Sequence, residues 1–95
     1  MRVRWLKRAL KNLDEEAEYI ARDNLQAAAR IVERIATGVD RLATHPAAGR
    51  PGRVPGTREL VINGTVFYIV PYRVRDETVE ILRVFHAARK WPEKF

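Results

Sequence analysis

The apolar residues of this chain change period once, and that change dictates its layout. From Leu6 to Leu42 they recur every three or four positions, the spacing of one helix face; from Arg58 to Phe85 they fall into short runs of strand length. Leu6, Leu10, Leu13, Ala17 and Ile20 make the first stripe, with Asp14, Glu15, Glu16 and Glu18 on the other side. No Ser, Thr, Asp or Asn precedes this helix as a cap. Asp23-Asn24 interrupts the pattern, and Asn24 is the N-cap candidate for a second helix carrying Ala28, Ile31, Ile35, Val39 and Leu42, its stripe widened by Val32 and Ala36. The short connection predicts an antiparallel hairpin, and Ala27, Ala28 and Ala29 let the two backbones approach. His45-Pro46 ends the second helix, because the residue before proline is driven out of helical geometry. Ahead of both, Val3 and Trp5 alternate with Arg2 and Arg4 as a first strand.

Between Pro46 and Thr57 three Pro and three Gly alternate with Arg50 and Arg53, a loop long enough to suggest function. An antiparallel meander follows: Arg58 to Ile62, a two-residue turn at Asn63-Gly64, Thr65 to Val74, a turn at Arg75-Asp76-Glu77, and Thr78 to Phe85. The middle strand is apolar on both sides, which makes it central. Pro71 lacks an amide donor and implies a bulge or an edge. The order β-α-α-β-β-β predicts an α+β fold, a helical hairpin packed on one face of a small, mainly antiparallel sheet, in a single domain over residues 1–95.

A 95-residue chain without cysteine must hold together by packing alone. Disulfides, a thiolate zinc site and a cysteine nucleophile are excluded, and the absence fits a reducing cytoplasm. Arg2, Arg4, Lys7 and Arg8 interrupt any apolar leader. The longest uncharged stretch, Leu60 to Tyr72, falls short of the ~18 residues that cross a bilayer. A soluble, cytoplasmic protein without a membrane contact is expected. Its formal charge is +6, its cations mostly Arg, and the excess lies mainly after residue 48. Arg offers a rigid, permanently charged fork to phosphate or carboxylate, so the partner should be anionic.

Catalytic equipment is sparse. Ser is absent, and the two histidines stand far apart in sequence. His45 at a helix end fits a capping or surface role; His86 at the end of the last strand is either a backbone-bonded residue or a proton-transfer group. No histidine or carboxylate set has metal-ligand spacing, and Gly49-Arg50-Pro51-Gly52-Arg53 precedes a strand and not a helix, so it is no phosphate loop. No cofactor is expected. What remains is an arginine set: Arg50, Arg53, Arg58, Arg73, Arg83 and Arg89. Arg83, between Leu82 and Val84, either pairs with a carboxylate such as Glu59 or Glu80 or reaches a binding surface. Trp91 either anchors the tail on the core or stacks on a ligand.

At these residues the chain resembles a known family. Gly49-Arg50-Pro51-Gly52, Gly56-Thr57-Arg58-Glu59-Leu60, Tyr72-Arg73-Val74 and the run from Val79 through Phe85-His86-Ala87-Ala88-Arg89-Lys90-Trp91-Pro92 are similar to the ParE branch of the RelE/ParE toxin superfamily. Tyr19-Ile20 and Leu42 with Pro46 extend the resemblance over almost the whole chain. It implies the toxin of a type II toxin–antitoxin pair that inhibits DNA gyrase, traps cleaved DNA and blocks replication. It also implies a ParD-like antitoxin that wraps the toxin in a toxin–antitoxin heterotetramer and alone brings operator DNA to the complex.

RelE-like relatives on the same fold cut messenger RNA in the ribosome, so fold alone does not choose. Such a nuclease needs a base, an acid and phosphate ligands. Here Glu59 would be the base, His86 the acid, and Arg58, Arg73 and Arg83 the phosphate ligands, with Arg89 at the family's basic position after the last strand. Tyr68 stands roughly where the resemblance places a phosphate-binding Arg, residues 58–74 hold no Lys, and the tail has Trp91 but no Tyr. These departures favour the branch that is not an enzyme. Target-contact candidates are Arg58, Arg73, Arg83, His86, Arg89 and Trp91. A third reading is a nontoxic module that helps the antitoxin occupy its operator.

Overall fold

A computed structural model describes residues 1–64 and 66–88. The expectations placed on Arg89 and Trp91 therefore lie outside the described residues. The elements are β1 (Arg2–Trp5), α1 (Lys7–Ala21), α2 (Leu25–Asp40), β2 (Arg50–Pro51), β3 (Arg58–Ile62), β4 (Tyr68–Arg75), β5 (Thr78–Ile81) and β6 (Phe85–His86). A single 3-10 turn, Arg41–Ala43, closes α2 before His45-Pro46.

The hairpin of α1 and α2 forms where the sequence marks it. Asn24 caps α2 by accepting from the Ala27 N–H at 3.0 Å. The start of α1 has no side-chain cap, and the Leu6 N–H instead donates to Ile81 O at 3.0 Å. Both helices lie on one side of a mixed, mostly antiparallel sheet of order β1-β5-β4-β3-β2, with β6 also on β4. Among the described residues the one parallel pair is β1 with β5, and β4 is central, as its two apolar sides require.

Alternation along the strands then sorts the side chains. Tyr68, Val70 and Tyr72 of β4, Val79 and Ile81 of β5 and Ile62 of β3 face the helices and join Ile35, Val39 and Leu42 in one core. Each fully buried side chain of this size is worth roughly 1.5–3 kcal/mol. Tyr72 also ties down the loop after α2: its hydroxyl donates to Pro46 O at 2.7 Å and accepts the Gly49 N–H at 2.8 Å. Only glycine fits at Gly49, since a Cβ there would stand 2.6 Å from the Tyr72 ring.

Three expectations need correction. Asn63-Gly64 does not form a two-residue hairpin: Ile62 pairs with Tyr68, five positions of sequence separate the two, and neither Asn63 nor Gly64 takes a positive φ. A two-residue turn there would shift the register by an odd number and send Arg73 into the core in place of Tyr72. Burial of the two tyrosines selects the longer loop. The last strand is also interrupted. Ile81 faces Tyr72 and Phe85 faces Ile69, so β5 and β6 together carry one residue more than β4 opposite them. The bulge lies against Pro71, whose carbonyl accepts from the Leu82 N–H at 2.9 Å but which has no N–H to return. Finally, the loop after α2 contains the short β2, held to β3 by Arg50↔Glu59 and Pro51↔Arg58.

Candidate functional site

The side of the sheet turned away from the helices carries arginines. Arg2 and Arg4 of β1, Arg73 and Arg75 of β4 and Arg50 of β2 share it with Glu80 and Glu59, both buried. Arg73 Nε donates to Glu80 Oε1 at 2.7 Å, and Arg75 Nη2 approaches the same oxygen at 3.5 Å. The Arg73 hydrogen bond holds the Glu80 carboxyl below the usual carboxylate range; burial opposes it, and the charges of Arg75, Arg73 and Arg4 reinforce it. Glu59 is also held by its neighbours. Its Oε1 accepts from Arg50 Nε at 3.2 Å and Nη2 at 3.1 Å, and its Oε2 accepts the Arg53 backbone N–H at 3.0 Å. Each carboxylate braces a pair of cations, and Glu59 also closes the 50–57 loop.

The arginines singled out from sequence separate into different jobs. Arg58 points toward the helix side, where its Nη1 donates to Gly49 O at 2.8 Å and steadies the loop. Arg73 lies on the open side against Glu80. Arg83 pairs with neither Glu59 nor Glu80, contrary to one of its two readings. It sits in the bulge, its Nε donating to Asn12 Oδ1 at 2.8 Å and its guanidinium 5.1 Å from the Phe85 ring centre. The same Asn12 oxygen accepts the Val84 N–H at 3.2 Å, so α1 seals the strand edge beyond the end of β1. Burial lowers the Arg83 pKa from its ordinary value, the Arg8 charge lowers it further, and Glu15 opposes both.

His86 and Glu59 lie on opposite sides of the sheet. His86 pairs with Tyr68 on the core side, its ring edge-on to that tyrosine at 5.5 Å, and its Nδ1 accepts the Ala88 N–H at 3.1 Å. Glu59 pairs with Pro71, on the other side. His45 has a local partner, the Thr44 hydroxyl, 2.9 Å from its Nδ1.

Two grooves adjoin these residues. One, about 620 Å³, runs between α2 and β3, with Arg30, Arg34 and Arg41 above Leu42, Leu60 and Ile62. β2 covers β3 only at Arg58 and Glu59, so among the described residues no strand pairs with the outer edge from Leu60 to Ile62. The other lies where α1 leaves the sheet: a hollow of about 710 Å³ with Lys7, Arg8 and Arg73 over Leu6 and Leu82, and a hollow of about 250 Å³ holding Arg8, Lys11, Asn12, Glu15 and Arg83. Lys7, Arg8 and Lys11 were not among the sequence candidates. Their signal was present: positions 7, 8 and 11 share one helix face. Among the described residues no three His, Asp or Glu gather as metal ligands, and no helix is long and apolar enough to cross a membrane.

Relatives agree with this architecture. The family described as "ParE toxin of type II toxin-antitoxin system, parDE" matches residues 3–91. The Y4kP protein of Sinorhizobium fredii is 54% identical over 92 residues, covering 97% of this chain and 94% of its own. Toxin RelE2 of Caulobacter vibrioides is 39% identical over 87 residues, covering 92% and 96%. A solved chain of the chromosomal ParDE TA system from P. aeruginosa superposes with a TM-score of 0.79 at 29% identity, over 90% of this chain and 95% of that one. The hairpin-on-sheet fold, its arginine-lined open side and these matches have one consequence: the chain belongs to the ParE family of type II toxin–antitoxin toxins.

Proposed function

We propose that this toxin inhibits DNA gyrase by binding it, without catalysing a reaction of its own, and that a ParD-like antitoxin neutralises it. The observation that carries the non-enzymatic reading is the separation of Glu59 from His86 across the sheet. General acid–base cleavage of RNA needs both groups within reach of one phosphate. Glu59 is further committed to Arg50 and Arg53, so freeing it as a base would break the bonds that close its loop. The 39% identity to Toxin RelE2 keeps ribosome-dependent mRNA cleavage as the second reading. A supercoiling assay with purified gyrase separates the two. Excess toxin abolishes supercoiling and accumulates cleaved DNA, while mRNA on translating ribosomes stays intact. Normal supercoiling together with position-specific mRNA cuts that vanish in His86→Ala would overturn this reading. Continued growth on overexpression without antitoxin would instead favour the nontoxic co-repressor.

For the antitoxin, the α2–β3 groove supplies a complementary surface. An extended segment can add to the free edge of β3 through backbone bonds, with acidic side chains toward Arg30, Arg34 and Arg41 and apolar ones against Leu60 and Ile62. Binding in a heterotetramer, with operator DNA held by the antitoxin alone, completes the reading.

A further inference from the structure

Five cations form one continuous track where α1 leaves the sheet. Lys7, Arg8 and Lys11 come from one face of α1, Arg73 from β4 and Arg83 from the bulge, and Arg8 lines both hollows that make up the track. Glu15 is the one acid among the lining residues, and Arg73 also keeps its bond to Glu80. Burial first, and then the charge of Arg8, disfavour the charged form of Arg83. Bringing like charges together costs stability, and a bound anion removes that cost.

The track is dominated by charged donors. The Asn12 carbonyl oxygen is occupied by Arg83 and Val84, and the Thr57 hydroxyl, which donates to Val54 O, keeps only its oxygen lone pairs to accept. An acidic peptide would find no strand edge here, because Asn12 closes it, whereas the α2–β3 groove leaves one open. The ligand that fits is a chain of regularly spaced anions rich in acceptors, lying over the apolar walls of Leu6, Pro55 and Leu82.

We propose that this track seats the phosphodiester backbone of DNA, so that the toxin grips the DNA in the gyrase complex directly. The source of the DNA rests on the gyrase reading above; the contact itself belongs to the free toxin. The test is fluorescence anisotropy of a labelled duplex of about 20 base pairs with purified toxin, between about 50 and 200 mM salt. Arg8→Glu and Lys11→Glu each weaken binding on the order of tenfold and lower the salt slope by about 1. Arg22→Glu, the same charge change at the far end of α1, leaves binding unaltered. Lys11→Gln shows a smaller loss in the same direction, and thermal melting with antitoxin binding verifies that each variant is folded. Wild-type affinity in folded Arg8→Glu and Lys11→Glu, or an equal loss in Arg22→Glu, overturns the proposal. Single-stranded RNA of equal length binding tenfold tighter than the duplex overturns the assignment to DNA. A toxin that inhibits gyrase but binds no DNA refutes the track and leaves the gyrase reading standing. A toxin that binds DNA through the track but leaves gyrase active supports the contact and refutes the gyrase reading.

Discussion

Tyr72 and Arg73 are neighbours on one strand and belong to different environments. Tyr72 is wholly buried under the helices with both hydrogen bonds of its hydroxyl made inside the protein; Arg73 lies on the open side, its Nε on a buried glutamate. The helix side of the sheet is therefore where stability is stored. On the open side the two buried carboxylates, Glu59 and Glu80, are each engaged by arginine and hold those cations in place. Mutating the two sides should have separable consequences, and the separation is testable.

The widest contrast is between adjacent residues. Tyr72→Ala removes a buried aromatic and both loop anchors and costs about 3–5 kcal/mol, read from the urea midpoint. Arg73→Ala lowers that midpoint much less, since it loses one hydrogen bond to Glu80 while Arg75 and Arg4 still face that carboxylate; it should abolish toxicity and keep antitoxin binding. Equal destabilisation by the two would break the comparison. Glu59→Gln comes next. It removes the carboxylate that Arg50 and Arg53 share, and with both arginines half exposed the cost is about 1–2 kcal/mol. Faster tryptic cleavage after Arg53 should accompany it.

A smaller effect appears in acid. The Glu80 carboxyl is held below its ordinary value of 4.5 in the folded state, so the unfolded chain takes up its proton first as pH falls. The stabilisation is complete above about pH 4.5 and is lost as pH drops through the folded value. Melting temperature followed from neutral to acid pH should fall in that window, and Arg73→Ala should flatten the fall. An identical acid profile in the variant would mean that Arg73 does not set the Glu80 pKa.

What could be read in the sequence was local. The helix stripes, the Asn24 cap, the centrality of β4 and the bulge that is one of the two readings of Pro71 follow from spacing and from the chemistry of single residues. What escaped was non-local. The partner of Arg83 depends on Glu59 and Glu80 being claimed first by residues opposite them in register, and Asn12 reaches it only through the docking of α1. Likewise, Lys7, Arg8 and Lys11 acquire meaning only when β4 and the bulge bring Arg73 and Arg83 beside them.

The smallest predicted effect concerns what assigns residues to the two sides. Register parity does so, and turns set parity. Between β4 and β5 the tight turn pairs Arg75 with Thr78, and both of its central residues, Asp76 and Glu77, have positive φ, 53° and 57°. That is the left-handed geometry a two-residue hairpin turn requires, and side chains other than Gly, Asn or Asp adopt it at a cost. Asn63-Gly64, with the composition for such a turn, sits instead in the longer loop. Composition thus proposes a turn, but burial of Tyr68 and Tyr72 decides the register and strains the second turn to match. Glu77→Gly relieves the strain and should raise stability by about 0.5–1 kcal/mol, the left-handed penalty less the extra freedom of glycine in the unfolded chain. The open-side pattern should stay intact, with toxicity unaltered. A loss of stability in Glu77→Gly would mean that the Glu77 side chain holds the turn, and that parity here rests on a contact beyond backbone geometry.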